Sequence, residues 1–167
     1  KAASPFNYLI INNHSLEKVL GAQCDSKILL RIGLVNFNHI GMYFNTAYGL
    51  KLNIENVVSE IIRFMKDDEG SKYKIIVGSD SERRENNSAD FVTAIIVHRT
   101  GNGGRYFWRR LELGKIYNLR SRIIQEVLLS LDGAKEILAA LKSFNAPHFD
   151  FEIHVDIGEN GETKSMI

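Results

Sequence analysis

Residues 73–81, YKIIVGSDS, decide the fold of this chain because they predict a strand that runs directly into an acidic residue. The aromatic and β-branched residues from Tyr73 to Val77 favour a buried β-strand. Gly78 is predicted to let the backbone leave the sheet, so that Asp80 lies just past the carboxyl end of the strand. An aspartate in that position is either a turn residue or a metal ligand, and this stretch alone favours the turn.

A second stretch, residues 151–158 (FEIHVDIG), repeats the pattern of an apolar strand followed by an acid, here Asp156. Between the two strands, residues 118–142 predict a long helix, because apolar residues recur there at three- and four-residue steps. Glu126 lies at the border of that apolar stripe. We therefore expect its side chain to face the sheet and not the solvent.

The remaining elements complete an α/β pattern. Residues 53–66 predict a helix that Asn53 caps, and residues 91–98 and 106–113 predict two strands joined by a Gly-rich turn. The wholly polar residues 81–90 predict an exposed loop. Short connections make the first three strands antiparallel neighbours, whereas the long helix allows the fourth strand to run parallel to one of them. The sequence thus predicts a mixed sheet, three antiparallel strands plus a parallel fourth, with flanking helices.

The composition describes an ordinary soluble globular protein, with 44% apolar and 25% charged residues in a chain of 167. A net charge of +1 gives no overall attraction to nucleic acid, so such binding would depend on a local patch. The single cysteine, Cys24, excludes an internal disulfide and fits a reducing compartment. No apolar run approaches the roughly 18 residues needed to cross a bilayer. These features predict a cytoplasmic protein without a membrane partner, and they leave the oligomeric state open.

The candidate chemistry comes from three carboxylates on three elements: Asp80, Glu126 and Asp156. Open α/β sheets place their sites at the carboxyl ends of strands, so the two aspartates are expected at one sheet edge, with Glu126 nearby. Three close carboxylates repel one another unless a cation lies between them. Oxygen ligands suit Mg²⁺ or Mn²⁺, which can support phosphodiester cleavage. Each acid alone also has a structural interpretation, as a turn residue or a solvated helix position.

Four motifs occur in order along the chain: YKIIVGSDSE, FVTAIIVHRTGNGG, LRSRIIQEVLLSL and FEIHVDIGENGETKSMI. In these motifs, residues 44–167 resemble the YkuK family of ribonuclease H-like proteins. The resemblance implies a ribonuclease H-like fold in which Asp80, Glu126 and Asp156 correspond to the metal-binding acids. A fourth acid in ribonuclease H-like enzymes comes from a later helix. This chain ends before such a helix, so the domain is expected to be truncated at its C-terminal end.

The resemblance does not include residues 1–43, which we interpret as an amino-terminal arm or extension outside the central sheet. This region contains an apolar run, residues 27–35 (KILLRIGLV), that is compatible with a strand or with a buried helical turn. The domain boundaries predicted from the sequence are thus 1–43 and 44–167.

Other residues have two open interpretations. Arg120 and Arg122 open the long helix near Glu126, and they either contact a phosphate backbone or are simply solvated. Phe107 and Trp108 either stack on a base or belong to the core. His154 is either a packed strand residue or a participant near the metal.

Two functions from different classes remain at this point. The first is a metal-dependent nuclease that cleaves RNA or an RNA–DNA hybrid, with the three acids holding the ions. The second is a non-catalytic ribonuclease H-like module that binds nucleic acid or a protein partner. The order of the three acids favours the nuclease, and the near-neutral charge favours the module.

Overall fold

The computed structural model describes residues 8–12, 43–85, 87–114, 116 and 118–156, with the backbone alone described at 8–12 and 156. In these ranges it contains seven strands and two helices. In chain order they are β1 (Tyr8–Asn12), β2 (Phe44–Thr46), β3 (Lys51–Leu52), α1 (Ile54–Lys66), β4 (Tyr73–Arg83), β5 (Ala89–Arg99), β6 (Gly104–Leu113), α2 (Leu119–Ser143) and β7 (Asp150–Asp156). The strands form one mixed sheet in the order β1-β7-β4-β5-β6-β2-β3. The predicted α/β class and ribonuclease H-like sheet are confirmed.

Strands β4 and β7 are parallel neighbours inside the sheet, as the sequence predicted. Five consecutive residue pairs join the two strands, from Lys74 opposite Asp150 to Gly78 opposite His154. Strands β4, β5 and β6 are antiparallel neighbours, also as predicted. Helix α2 provides the crossover that returns the chain to a parallel strand.

Both helices begin where the sequence provides a capping side chain. Asn53 accepts a hydrogen bond from the backbone N–H of Asn56 at 2.9 Å, and Asn118 accepts one from Ser121 at 2.7 Å. Each bond satisfies a backbone donor that the first helical turn leaves unpaired. Neither described helix is long and apolar enough to cross a membrane.

The two helices pack on the same face of the sheet. Along β4 the alternate residues Tyr73, Ile75 and Val77 are buried, and they share one core cluster with apolar residues of both α1 and α2. Helix α2 approaches the sheet closely at Gly133, where an added β-carbon would lie 3.4 Å from Val77 Cγ1 and from Thr93 Cγ2. We call this side the helix face.

The opposite side of the central strands is called the open face, because the described helices pack on the helix face. Side chains alternate along a strand, so the open face carries the even-numbered positions of β4, β5 and β6. At the centre of the sheet these are Ile76, Gly78, Asp80, Val92, Ala94, Ile96, Tyr106, Trp108 and Arg110.

The predicted end of the first strand was wrong. Strand β4 continues to Arg83 and β5 begins at Ala89, so Asp80 lies within a strand and the predicted polar loop shortens to the turn between them. The backbone N–H of Arg84 donates to Ser88 O at 2.9 Å and closes this turn. Polar side chains here resemble a loop in sequence, but ladder hydrogen bonds depend on the backbone and not on the side chains.

Gly78 also differs from its prediction, since it stays in the sheet opposite Ala94. A β-carbon at Gly78 would lie 3.1 Å from the carbonyl oxygen of His154 on the neighbouring strand. The glycine therefore serves close packing of β4 against β7 and does not end the strand.

The expectation that residues 1–43 lie outside the central sheet was wrong for β1, which pairs antiparallel with β7 at the sheet edge. Strands β2 and β3 at the other edge were not predicted, because they are too short to show a period. The apolar run 27–35 lies outside the described residues. The boundary between 1–43 and 44–167 stays a prediction.

Replacing Gly133 by leucine should weaken the packing of α2 against the sheet. The larger side chain must displace Val77 and Thr93, and overpacking of this kind costs about 1–3 kcal/mol of unfolding free energy. Urea denaturation would measure this loss of unfolding free energy. Lys135→Leu, an exposed position on the same helix, is the control and should change stability by no more than about 0.5 kcal/mol. Equal effects of the two substitutions would contradict the close approach of α2 to the sheet.

Candidate active site

Asp80 lies on β4 directly opposite Val92 of β5, two residues beyond the last β4–β7 pair. Its side chain is exposed, and Oδ1 accepts a hydrogen bond from the backbone N–H of Ser81 at 2.8 Å. Within the described part of the chain, Asp80 has no ion pair with a basic side chain. This carboxylate is therefore accessible to a cation.

Glu126 is buried on α2, with 5% of its surface exposed. Its Oε1 accepts a hydrogen bond from Ser81 Oγ at 2.5 Å. The prediction that Glu126 faces the sheet is confirmed, because the apolar stripe of α2 turns this position toward the end of β4. A buried carboxylate needs such hydrogen bonds to offset the cost of leaving water.

The two arginines of α2 occupy different environments. Arg122 is half-buried, and its NH1 donates to the carbonyl oxygen of Ser81 at 3.3 Å. Its Nε is buried without a hydrogen-bond partner among the described atoms. Arg120 is exposed. Arg122 and Glu126 therefore hold the same residue of β4, while Arg120 is the one available to a ligand.

Glu126 contacts Ser81, the residue next to Asp80, but Ser81 and Asp80 lie on opposite faces of β4. Ser81 belongs to the helix face with Val77, so alternation directs Asp80 to the open face. Asp156 ends β7, with its backbone opposite Tyr8, and its side chain lies outside the described atoms. Among the described residues, no group of three His, Cys, Asp or Glu side chains is arranged to hold a metal ion.

The donor set of this region nevertheless fits a hard divalent cation. Carboxylates elsewhere on the sheet already have cationic partners: Lys74 Nζ lies 2.6 Å from Glu152 Oε1, and the guanidinium of Arg84 lies 2.5 Å from Asp90 Oδ2. Asp80 is a contrast, since the described residues give it no such partner. Oxygen donors without a neutralising side chain are what Mg²⁺ and Mn²⁺ bind in proteins.

A network that the sequence analysis missed lies beside Asp80 on the open face. The buried carboxylate of Asp90 accepts hydrogen bonds from Arg110 through Nε at 2.7 Å and through NH2, and from Arg84 NH2 at 2.5 Å. These hydrogen bonds, first from Arg110 and then from Arg84, hold the pKa of Asp90 well below its usual range. The sequence could have indicated this network only if the register of the hairpin had been known. That register places Asp90 opposite Glu112 and diagonal to Arg110.

The structure also shows the surroundings of the three remaining candidates, Phe107, Trp108 and His154. Phe107 is buried in the core, whereas Trp108 is half-buried on the open face. His154 Nε2 lies 2.9 Å from Glu152 Oε2. Burial raises the pKa of Glu152, but the hydrogen bonds from Lys74 and His154 outweigh it and the net pKa is lowered. His154 is therefore engaged in a surface ion-pair network.

Comparisons with known proteins agree with this architecture. The family described as "Ribonuclease H-like" matches residues 56–167. The chain is 30% identical over 137 residues to "Uncharacterized protein YkuK" of Bacillus subtilis (strain 168), covering 75% of this chain and 78% of that protein. No solved structure matches the chain significantly.

Asp90→Asn should destabilise the protein at neutral pH, with a gap that closes in acid. A carboxyl whose folded pKa is lowered contributes stability above its unfolded pKa, about 3.9, and loses it as the pH falls further. Urea denaturation of both proteins between pH 7 and pH 2 would measure the gap. Asp150→Asn, at an exposed acid of β7, is the control and should change the stability at pH 7 by no more than about 0.5 kcal/mol. A gap for Asp90→Asn that stays constant down to pH 2 would contradict the assignment.

Proposed function

The chain belongs to the ribonuclease H-like family, and on that premise we propose that it is a metal-dependent nuclease that hydrolyses phosphodiester bonds in RNA or in an RNA–DNA hybrid. The observation that carries the proposal is the parallel pairing of β4 with β7. Asp80 and Asp156 each follow the last paired residues by two positions, so they belong to the same end of neighbouring strands. Sites of open α/β sheets are found at that end.

In this proposal Asp80, Glu126 and Asp156 are the residues that hold Mg²⁺ or Mn²⁺. When bound, such an ion supplies an activated water and offsets the charge of the phosphate. Ser81 fixes the carboxylate of Glu126 by its 2.5 Å hydrogen bond, and Arg122 fixes the backbone of the same serine. The exposed Arg120 is suited to contact a substrate phosphate.

A second function, a non-catalytic module that binds nucleic acid or a protein, has its own support. The net charge of the sequence is only +1, which gives no overall attraction to a polyanionic substrate. The two functions differ in a single measurable property, which is metal-dependent cleavage.

Asp80→Asn and Asp156→Asn should each abolish cleavage that depends on Mn²⁺. Each substitution keeps the size of the side chain but removes the charge that binds a dication. The rate should fall by more than about 100-fold, since loss of a residue that only supports a metal ligand already costs about 10- to 100-fold. The matched control is Asp150→Asn, an acid of the same strand β7 at the opposite end, which should keep the wild-type rate.

The assay would incubate the protein with single-stranded RNA, an RNA–DNA hybrid or single-stranded DNA, in Mn²⁺ or in EDTA. Cleavage that persists in EDTA, or in Asp80→Asn, would overturn the metal-dependent mechanism. Binding of any of these substrates by the wild type without cleavage in Mn²⁺ would favour the non-catalytic module.

A further inference from the structure

The turn between β5 and β6, residues 100–103, is held by backbone hydrogen bonds. The N–H of Asn102 donates to the carbonyl oxygen of Arg99 at 3.1 Å, and the N–H of Arg99 donates to Gly103 O at 2.9 Å. Gly101 has a φ of +86°, as the third residue of a type II turn requires, and Gly103 has a φ of +74°. Glycine adopts both angles without strain. The turn therefore presents Asn102 to solvent, directly before a glycine.

Asn102 differs from the other asparagines whose side chains the structure describes. Three of those accept a hydrogen bond through the side-chain oxygen, namely Asn53, Asn87 and Asn118. The others precede a residue whose backbone N–H is already hydrogen-bonded, namely Asn45, Asn56 and Asn145. Within the described part of the chain, neither the side-chain amide of Asn102 nor the N–H of Gly103 has a hydrogen-bond partner. Of these asparagines, only Asn102 leaves both groups free.

We propose that Asn102 is a site of spontaneous deamidation, which converts its side-chain amide into a carboxylate with water as the reagent. The modification is independent of the nuclease function, since it involves neither the candidate acids nor a metal. The glycine that gives the turn its positive φ also supplies the backbone nitrogen that reacts.

The reaction begins when the backbone nitrogen of Gly103 attacks Cγ of Asn102. The N–Cγ bond forms, the Cγ–Nδ2 bond breaks, and ammonia leaves with the proton that the Gly103 nitrogen gives up. Water then opens one of the two C–N bonds of the resulting succinimide. Opening at Cγ gives aspartate, and opening at the backbone carbonyl gives isoaspartate.

The surroundings of Gly103 favour this attack. Glycine has no β-carbon beside the reacting nitrogen, and no atom lies within 4 Å of the place that a β-carbon would take. Because the N–H of Gly103 is unbonded in the described structure, no hydrogen bond has to break before the nitrogen reacts.

Isoaspartate should damage the hairpin more than aspartate does. In isoaspartate the main chain passes through Cγ, so it gains an atom between the turn hydrogen bonds that join Arg99 to Asn102 and to Gly103. Loop length fixes the register of a hairpin, so the longer loop disturbs the pairing of His98 with Gly104. Aspartate keeps the normal backbone and should leave this pairing intact.

The test follows Asn102 by mass spectrometry while the folded protein is incubated in warm, mildly alkaline buffer. Trypsin releases residues 100–105, TGNGGR, which separates this site from the second Asn-Gly pair at Asn160. We expect this peptide to show the mass gain of deamidation, whereas Asn87 and Asn145 remain amides. A synthetic TGNGGR peptide gives the rate without the turn. The folded protein should react no more than about 10-fold more slowly, because the turn leaves the reacting atoms within reach of each other.

Two variants complete the test. Asn102→Gln adds a methylene to the side chain, so its conversion should fall by more than about 10-fold, since intramolecular rates depend steeply on the placement of the reacting atoms. Asn102→Asp carries the charge of the product on a normal backbone. In urea denaturation it should keep the wild-type midpoint, whereas incubated wild type that contains isoaspartate should unfold at a lower urea concentration.

Three results would overturn the proposal: conversion of Asn102 more than about 10-fold slower in the folded protein than in the free peptide, conversion of Asn87 or Asn145 as fast as that of Asn102, or equally fast conversion of Asn102→Gln. The first result would mean that the turn protects the amide, and the second that hydrogen bonding does not select the site. An unchanged urea midpoint of incubated protein that contains isoaspartate would refute the damage to the hairpin.

Discussion

The parallel pairing of β4 with β7 is the constraint on which the rest of the structure depends. Parallel neighbours require a crossover connection, and α2 provides it. Helix α2 packs closely on the sheet at Gly133, next to Val77 and Thr93. The same helix brings Glu126 to the end of β4. Helix α2 therefore both connects the two parallel strands and carries one of the candidate acids.

Strand alternation divides the functional residues between two faces. Ser81 joins Glu126 on the helix face, while Asp80 and Arg110 belong to the open face. The two described acids of the proposed site therefore belong to opposite faces of the end of β4. This arrangement links a buried carboxylate, which is fixed by hydrogen bonds, to an exposed one that a substrate can approach.

The sequence was sufficient wherever a local pattern carries the structure. It predicted the parallel strands, the Asn53 and Asn118 starts of the helices and the sheet-facing position of Glu126, because caps and apolar periods are local signals. It failed at the edges of the sheet, since a short strand such as β2 is defined by its pairing with β6. It also ended β4 too early, because polar residues in a paired strand resemble a loop. The Asp90 network depends on cross-strand register, which a single sequence does not show.

The central claim is that Asp80 and Asp156 share a divalent cation at the carboxyl ends of β4 and β7. A crystal structure of the protein soaked in Mn²⁺, with anomalous diffraction data, tests it most directly. The account predicts an anomalous peak between the two carboxylates, with oxygen atoms of both about 2.0–2.2 Å away, close to the distances expected for Mg²⁺. An absent peak with the two carboxylates more than about 10 Å apart would contradict it, because ligands at that separation cannot reach one ion.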